Sequence, residues 1–255
     1  MLGAIAGDII GSRFEGCAGP PREFRLFHPA CRFTDDSVCT LAVADALLGE
    51  RDFAASLRAF VRRHPARGYG GMFLEWALAD DAPAYGSWGN GAPMRVAAVG
   101  WLARDEAEAL ELAAAQAAVS HDHPDAIAAS QAVALAILLA RSGIPRTILR
   151  RRLIDDFGYD LAPEHALARG GFDISAAGTV PPAITAALVA GRSSHRGLPR
   201  RRRRHSRVHS RSGSGGGPQP STSHRRLCPI LSNRRSTHGF GTVRGGGARL
   251  AAVGR

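Results

Sequence analysis

The segment Phe33-Thr34-Asp35-Asp36-Ser37 places adjacent carboxylates beside hydroxyl groups, directly before an apolar helical pattern. Carboxylate and hydroxyl oxygens suit Mg²⁺ or Mn²⁺ better than they suit zinc or copper. The same residues also suit a helix start, in which Asp36 or Ser37 caps the first turn and no ion is bound. These residues alone therefore leave a metal site and a helix cap as alternatives.

Two further segments carry polar groups of the kind found in active sites. Glu15 follows a glycine-rich apolar segment, and a carboxylate near a divalent cation could orient or deprotonate a water molecule, although a lone glutamate is usually solvated. The turn Gly89-Asn90-Gly91 can expose backbone N–H groups to phosphate oxygens, and Met94 and Arg95 follow it. An ordinary tight turn is the alternative for this segment.

A histidine-rich segment precedes the longest apolar stretch of the chain. His121 and His123 could be metal ligands, ribose contacts or plain loop histidines. Asp122 is predicted to cap the following helix, and Pro124 suits its first turn. The spacing does not choose between a binding role and a loop role for the two histidines.

The elements that must position these residues are predicted to be helices. Apolar residues recur at helical spacing over 41–48 and 53–61, and further helices are expected over 104–119, 126–141 and 144–157. No stretch alternates with period two, so the predicted class is all-α, with glycine- and proline-rich loops at 16–21, 65–71, 82–93 and 175–182. Gly3, Gly7 and Gly11 share one helical face and predict close packing against another helix.

Composition divides the chain of 255 residues into two parts. Residues 1–190 hold 17 Arg and all 22 acidic residues, whereas residues 191–255 hold 16 Arg and no acid. The first part is therefore not a basic nucleic-acid-binding domain. The second part, rich in Arg, Gly and Ser, lacks apolar periodicity and is predicted to be a disordered tail.

The remaining features indicate a soluble, cytoplasmic chain. Four cysteines are scattered without a Cys-x-x-Cys pair, which excludes a disulfide scaffold and suits a reducing compartment. The N-terminus lacks the basic region of a signal peptide. The longest apolar run, 133–140, is far shorter than the roughly 20 residues of a membrane span.

Taken together, five segments in this order resemble the ADP-ribosylglycohydrolase family, over about residues 1–190. The matching segments are 1–15 (MLGAIAGDIIGSRFE), 33–37 (FTDDS), 89–95 (GNGAPMR), 120–127 (SHDHPDAI) and 178–184 (GTVPPAI). The resemblance implies an all-α compact orthogonal helical bundle with a binuclear Mg²⁺ or Mn²⁺ centre. It further implies hydrolysis of the glycosidic bond between ADP-ribose and a protein side chain or small acceptor, so the partner is an ADP-ribosylated protein or small derivative.

The same resemblance suggests roles for individual residues. Thr34, Asp35 and Asp36 look like the first half of the metal site, with Asp35 also catalytic, and Glu15 looks like the glutamate that acts on water or ribose. The predicted ligand-binding residues are Gly89, Asn90, Gly91, Met94, Arg95, His121 and His123. The second half of the family's metal site, Gly-Gly-Asp-x-Asp-Thr, is expected near residues 203–208, where no acid occurs.

The abrupt change near Gly191 predicts a shift of reading frame. Repeated CGN arginine codons, read one base later, become GNC codons for Gly, Asp, Ala and Val, so the run 200–204 is what a Gly-Gly-Asp segment gives out of frame. A genuine basic tail is the alternative. The helical domain is then truncated in its C-terminal part, and hydrolysis is expected to be weak or lost.

Two alternative functions stay open at this point. The chain could be a catalytically silent ADP-ribose-binding module, or it could bind nucleic acid through the arginine-rich tail. The tail holds one aromatic residue, Phe240, so it offers few side chains on which nucleic-acid bases could stack. Deletion of residues 191–255 separates these readings, because only nucleic-acid binding requires the tail.

Overall fold

The apolar periodicity of the sequence forms helices throughout the computed structural model, which describes residues 1–17, 21, 23–166, 168 and 173–190. Within these residues there is no strand, and an isolated antiparallel bridge joins Gly89 to Ser175. The predicted all-α class is confirmed. The helices are α1 (Leu2–Gly11), α2 (Asp35–Leu48), α3 (Phe53–Arg63), α4 (Gly71–Leu78), α5 (Ala97–Leu102), α6 (Glu106–Ala118), α7 (Pro124–Arg141), α8 (Arg146–Phe157), α9 (Pro163–Ala166) and α10 (Ala176–Ala190), with 3-10 turns at Ser12–Phe14 and Pro93–Arg95.

Two helices organise the bundle. Helix α2 packs against α1, α3 and α5, and its buried residues include Val38, Cys39 and Val43. Helix α7 packs against α5, α6, α8 and α10. Among the described residues, the apolar core accordingly lies in two large clusters, one around α2 to α5 and one around α7, α8 and α10, and a small third cluster of Ala103, Ala109 and Leu138.

Helix α7 has the length and apolar composition of a membrane-crossing helix, although the sequence pattern predicted no such span. Small residues make up much of its buried surface, including Ala126, Ala129 and Ala132, which let its neighbours approach closely. Four helices surround it, so its apolar character is accounted for by its place in the core.

The prediction of a loop over 175–182 is wrong, because α10 begins at Ala176 and continues through Pro181 and Pro182. Ser175 starts the helix: its hydroxyl accepts a hydrogen bond from the Gly178 N–H at 2.9 Å, and its carbonyl accepts one from Thr179. Such a side-chain cap outweighs the local signal of glycine and proline, which had favoured a loop.

The glycine face of α1 does not make the close helix contact that its spacing predicts. No atom of the described residues lies within 4 Å of a Cβ built at Gly3, Gly7 or Gly11, and α1 contains no buried residue. Leu2 is 84% exposed, whereas Ile5, Ile9 and Ile10 of the same helix are partly buried. The predicted tail at 191–255, with the expected position of a second metal segment, lies outside the described residues.

Substitution of Gly100 should destabilise the bundle where α5 crosses α7. A Cβ at Gly100 would lie 2.6 Å from Ile137 Cβ and 2.7 Å from the Ala134 carbonyl oxygen, so Gly100→Ala forces two helices apart. Urea unfolding should show a loss of about 1–3 kcal/mol. Gly3→Ala is the matched control, because its Cβ meets open space; a similar loss in both variants would contradict this packing.

Candidate active site

Four carboxylates from three segments gather around the N-terminus of α2. Asp8 comes from α1, Glu15 follows the first 3-10 turn, and Asp35 and Asp36 form the first turn of α2. Asp8, Glu15 and Asp36 border a cleft of about 380 Å³. Its lining residues are Gly7, Asp8, Gly11, Ser12, Phe14, Glu15, Gly16, Cys17 and Asp36.

Helix α2 begins two residues earlier than a cap at Asp36 would allow, and three residues earlier than a cap at Ser37 would allow. Thr34 is the N-cap, with extended backbone, and its hydroxyl accepts a hydrogen bond from the Asp36 N–H at 3.4 Å. The alternative prediction of a cap at Asp36 or Ser37 is therefore wrong. Asp35 and Asp36 are instead helical residues of the first turn, where the helix dipole favours negative charge.

Burial and mutual repulsion make the ionised forms of these carboxylates costly. Burial raises the pKa of Asp35 to about 6, and the charges of Glu15 and Asp8 add to the effect. Burial raises the pKa of Asp36 to about 7, with Asp35, Asp8 and Glu15 contributing. The pKa of Glu15 is raised by burial, while Arg32 opposes that shift. A cation in the cleft would relieve this repulsion.

The oxygen-rich donor set fits a hard divalent cation, but it is incomplete. Thr34, Asp35 and Asp36 offer hydroxyl and carboxylate oxygens, and Glu15 adds another carboxylate close by. Within residues 1–190, as far as the structure describes them, no group of three or more His, Cys, Asp or Glu side chains is arranged to hold a metal ion. The oxygen atoms of the described residues therefore match part of a metal site.

The predicted ligand-binding turn pairs with the residues before α10. Asn90 N–H donates to the Ile174 carbonyl at 2.8 Å, and Ala176 N–H donates to the Trp88 carbonyl at 3.0 Å. The Thr40 hydroxyl donates to the Met94 carbonyl at 3.5 Å, which ties this turn to α2. Residues of α2 thus lie next to both the carboxylates and this turn.

Arg95 is fully buried, and the hydrogen bonds of its guanidinium connect it to other parts of the fold. Its guanidinium donates to the Gln116 side-chain oxygen at 2.8 Å, to the Gln116 carbonyl at 2.7 Å and to the Ser120 hydroxyl at 3.0 Å. Burial lowers the pKa of Arg95 to about 10. The Nη1 atom has no hydrogen-bond partner among the described residues.

His121 packs directly against the glycine turn. A Cβ at Gly91 would lie 2.7 Å from His121 Nε2, so only glycine fits there without moving the ring. The His121 Nδ1 lies 2.9 Å from the Ser120 hydroxyl, and the ring lies between Phe73 and Tyr85. Burial, assisted by the charge of Arg95, lowers the pKa of His121 to about 3, so the ring is neutral at neutral pH.

His123 occupies a different place from His121. It is the N-cap of α7, where its Nδ1 accepts a hydrogen bond from the Asp125 N–H at 3.2 Å. Asp122, predicted to be this cap, instead accepts a hydrogen bond from the Gly86 N–H at 2.7 Å. Pro124 is the first helical residue, as predicted. A ligand contact by His123 stays a prediction.

The sequence reading missed Asp8. Its carboxylate accepts hydrogen bonds from the N–H and hydroxyl groups of both Thr34 and Ser37. The available signal was a single carboxylate within the otherwise apolar segment 2–10. The glycine spacing drew attention to the helix face instead of to the charged residue beside it.

Neutralising Asp36 should remove a pH-dependent loss of stability. Because the folded-state pKa of Asp36 is raised to about 7, protonation stabilises the fold fully below its unfolded pKa of about 4, and this contribution is lost as the pH rises through 7. Over this pH range, and in EDTA, the free energy of unfolding of the unsubstituted chain should fall by on the order of 2–4 kcal/mol more than that of Asp36→Asn.

The matched control for this experiment is Asp45→Asn, on the same helix. Asp45 accepts a hydrogen bond from the Ser56 hydroxyl at 2.9 Å, away from the cleft. This variant should keep the pH profile of the unsubstituted chain. Parallel profiles for all three proteins would contradict the assignment of the raised pKa to Asp36.

Comparison with known proteins supports the identity suggested by these segments. The chain is 25% identical to ADP-ribosylhydrolase ARH3 of Danio rerio over 173 residues, which cover 56% of this chain and 47% of that protein. The chain thus spans about half the length of this curated relative. The family model of the ADP-ribosylglycohydrolases matches residues 1–218, beyond the boundary at 190 drawn from the motifs. The match covers most of the sequence, and the chain belongs to the ADP-ribosylglycohydrolase family.

Proposed function

We propose that this chain descends from enzymes that hydrolyse the glycosidic bond linking ADP-ribose to a protein side chain or small acceptor, with a divalent cation. The observation that carries this proposal is the convergence of Asp8, Glu15 and Asp36 on one cleft, with the Asp35 carboxylate close enough to raise the pKa of Asp36. Membership of the ADP-ribosylglycohydrolase family supports the substrate class. The name of the matched relative, an ADP-ribosylhydrolase, agrees with it.

The proposed cation is Mg²⁺ or Mn²⁺, held by the oxygens of Thr34, Asp35 and Asp36. When bound, such an ion positions hydroxyl groups and water and withdraws electron density from coordinated oxygens. Asp35 and Asp36 would supply the negative charge that retains it. Because burial raises the pKa of Asp35 to about 6 and that of Asp36 to about 7, protons would compete with the ion for these carboxylates as the pH falls below neutral.

Glu15 is proposed to act on the attacking water. Burial raises its pKa, which brings a carboxylate closer to the range in which it can take up and return a proton. It borders the same cleft as Asp36, so a water held between them would be within reach of both carboxylates. The sugar carbon under attack acquires oxocarbenium character, which nearby carboxylates stabilise.

The turn at Gly89–Gly91 and the neutral ring of His121 are proposed to bind the ADP-ribose. The Gly91 N–H is the backbone group of the turn proposed to bind a phosphate oxygen, because the Gly89 and Asn90 N–H groups donate to the Ser87 hydroxyl and the Ile174 carbonyl. The ring can donate or accept one hydrogen bond without adding charge. Arg95 holds this region from beneath through Gln116 and Ser120, and its unpartnered Nη1 is the atom still able to donate. Met94 and the partly buried His123 complete the proposed set.

Hydrolysis by this chain is proposed to be weak or absent. The described residues do not include a set of three His, Cys, Asp or Glu side chains arranged to hold a metal, and residues 174–255 contain no acid. A cation held by the first half alone has too few fixed ligands, since Mg²⁺ and Mn²⁺ prefer six oxygens. The same observation favours the second candidate function, a silent ADP-ribose-binding module.

The origin of this defect is proposed to be the frame shift near Gly191. Sequencing of the gene across codons 185–255 from fresh genomic DNA tests it. The expected result is a one-base shift that restores a Gly-Gly-Asp-x-Asp-Thr segment in another frame. Confirmation of the present frame, with no such segment in any frame, would contradict the proposal and leave the basic tail as the product.

The hydrolase proposal is tested with ADP-ribosyl-arginine and ADP-ribosyl-serine peptides in Mn²⁺ and in EDTA. Slow release of ADP-ribose in Mn²⁺ is expected, and Asp35→Ala should reduce it by at least about 100-fold, the scale of losing one electrostatic group in an active site. Asp45→Asn should leave the rate unchanged. Rapid turnover that needs Asp35 would contradict the proposed impairment.

Calorimetric titration with ADP-ribose distinguishes a catalytically silent ADP-ribose-binding module from a hydrolase. If the chain binds ADP-ribose without releasing it from either peptide, the binding function is retained and catalysis is lost. If it neither binds ADP-ribose nor releases it, both proposals for this cleft are wrong.

A further inference from the structure

The carboxylate of Asp8 fixes the N-terminus of α2 from a different helix. Its Oδ2 accepts hydrogen bonds from Thr34 N–H at 2.9 Å and Ser37 N–H at 3.1 Å. The same carboxylate accepts the Thr34 hydroxyl at 2.6 Å and the Ser37 hydroxyl at 2.5 Å. Four donors from two residues therefore converge on one side chain that lies 26 and 29 positions earlier in the chain.

These contacts do the work of a helix cap. The local cap of α2, from the Thr34 hydroxyl to Asp36 N–H, is long at 3.4 Å. The N–H of Ser37, the third residue of the helix, bonds Asp8 instead. Charge-assisted bonds of this kind are stronger than neutral ones, so Asp8 supplies most of the capping at this helix end.

The capping by Asp8 has a consequence for the neighbouring carboxylates. Because Asp8 accepts the N–H of Ser37, neither Asp35 nor Asp36 is needed to cap the first turn, and Asp36 lines the cleft. Because the Thr34 hydroxyl donates its proton to Asp8 and accepts the Asp36 N–H, one of its two lone pairs is left for another partner. Asp8 therefore fixes the orientation of the oxygen atoms in this turn.

Apart from the packing of the Phe33 ring against Arg67 and His64, few contacts hold the segment directly before the turn. The described residues between the first 3-10 turn and Thr34 form no helix or strand. Arg32 N–H donates to the Ser12 hydroxyl at 3.1 Å, and Asp35 N–H donates to the Arg67 carbonyl at 3.0 Å. Neither contact reaches the side chain of Thr34 or Ser37.

We propose that Asp8 is a positioning residue, which sets the backbone and hydroxyl orientation of Thr34, Asp35 and Asp36 for cation binding. This inference rests on the proposed function of the same cleft. Asp8 acts through hydrogen bonds to Thr34 and Ser37, and its role is that of an outer-sphere support. Partners of metal ligands commonly change affinity when they are substituted, even though they do not touch the ion.

The test measures Mn²⁺ binding to the full chain by electron paramagnetic resonance, alongside circular dichroism to establish that each variant is folded. Asp8→Asn replaces one acceptor oxygen with a donor that faces other donors, and it should raise the Mn²⁺ dissociation constant by about 10- to 100-fold. Asp45→Asn, with the same loss of charge on α2, should change it by less than about twofold.

Ser37→Ala separates positioning from simple loss of charge. This variant removes one of the four hydrogen bonds without changing any charge near the cleft, and it keeps the inference testable if Asp8→Asn fails to fold. A positioning role predicts weaker Mn²⁺ binding in Ser37→Ala. In the double variant with Asp8→Asn, the fold-change in the Mn²⁺ dissociation constant should be smaller than the product of the two single fold-changes. An unchanged dissociation constant in Ser37→Ala would overturn the positioning role.

The outcomes also separate this inference from the proposed function. If the unsubstituted chain binds Mn²⁺ and folded Asp8→Asn binds it equally well, the positioning role is wrong while the cation site stands. If the unsubstituted chain binds no Mn²⁺, the cation site and the role of Asp8 are both overturned.

Discussion

Repulsion between carboxylates at the N-terminus of α2 is the constraint on which the site depends. Asp35 and Asp36 are adjacent, largely buried and close to Glu15 and Asp8, and the pKa values of three of these groups are raised. Proteins rarely gather buried like charges without a compensating partner. The helix dipole compensates in part, and a divalent cation would do so more completely.

The surrounding fold maintains this arrangement through two sets of buried polar contacts. Asp8 joins α1 to the first turn of α2, and Arg95 joins the glycine turn to α6 and to Ser120. Buried polar groups that are hydrogen-bonded specify geometry more sharply than apolar packing does, and the Arg95 Nη1 atom is the part of these two sets without a partner among the described residues. The apolar core beneath them, built on α2 and α7, provides the rigid elements to which both sets are attached.

The sequence predicted those features that local patterns determine. The helical periodicity located α7 and α8 to within about two residues, and the adjacent Asp35 and Asp36 located the acidic turn. Position within the fold was not readable, because burial depends on which helices meet. Arg95 after a Gly-Asn-Gly turn suggested a ligand contact, yet its observed partners are Gln116 and Ser120 on other elements.

Long-range contacts explain the other differences. Asp8 meets Thr34 across 26 positions, and no local spacing encodes that pairing. The start of α10 depends on the single hydroxyl of Ser175, which a reading based on Gly178, Pro181 and Pro182 does not weigh. The glycine face of α1 has the spacing of a packing surface, but the described residues provide no helix to cover it.

The central claim is that the acidic first turn of α2 is a cation site. Crystals of the chain soaked in Mn²⁺ and measured at an absorbing X-ray wavelength test it most directly. We expect an anomalous difference peak at about 2–2.6 Å from side-chain oxygens of Thr34, Asp35 or Asp36. Density for Mn²⁺ elsewhere on the molecule, with none at the N-terminus of α2, would contradict the account.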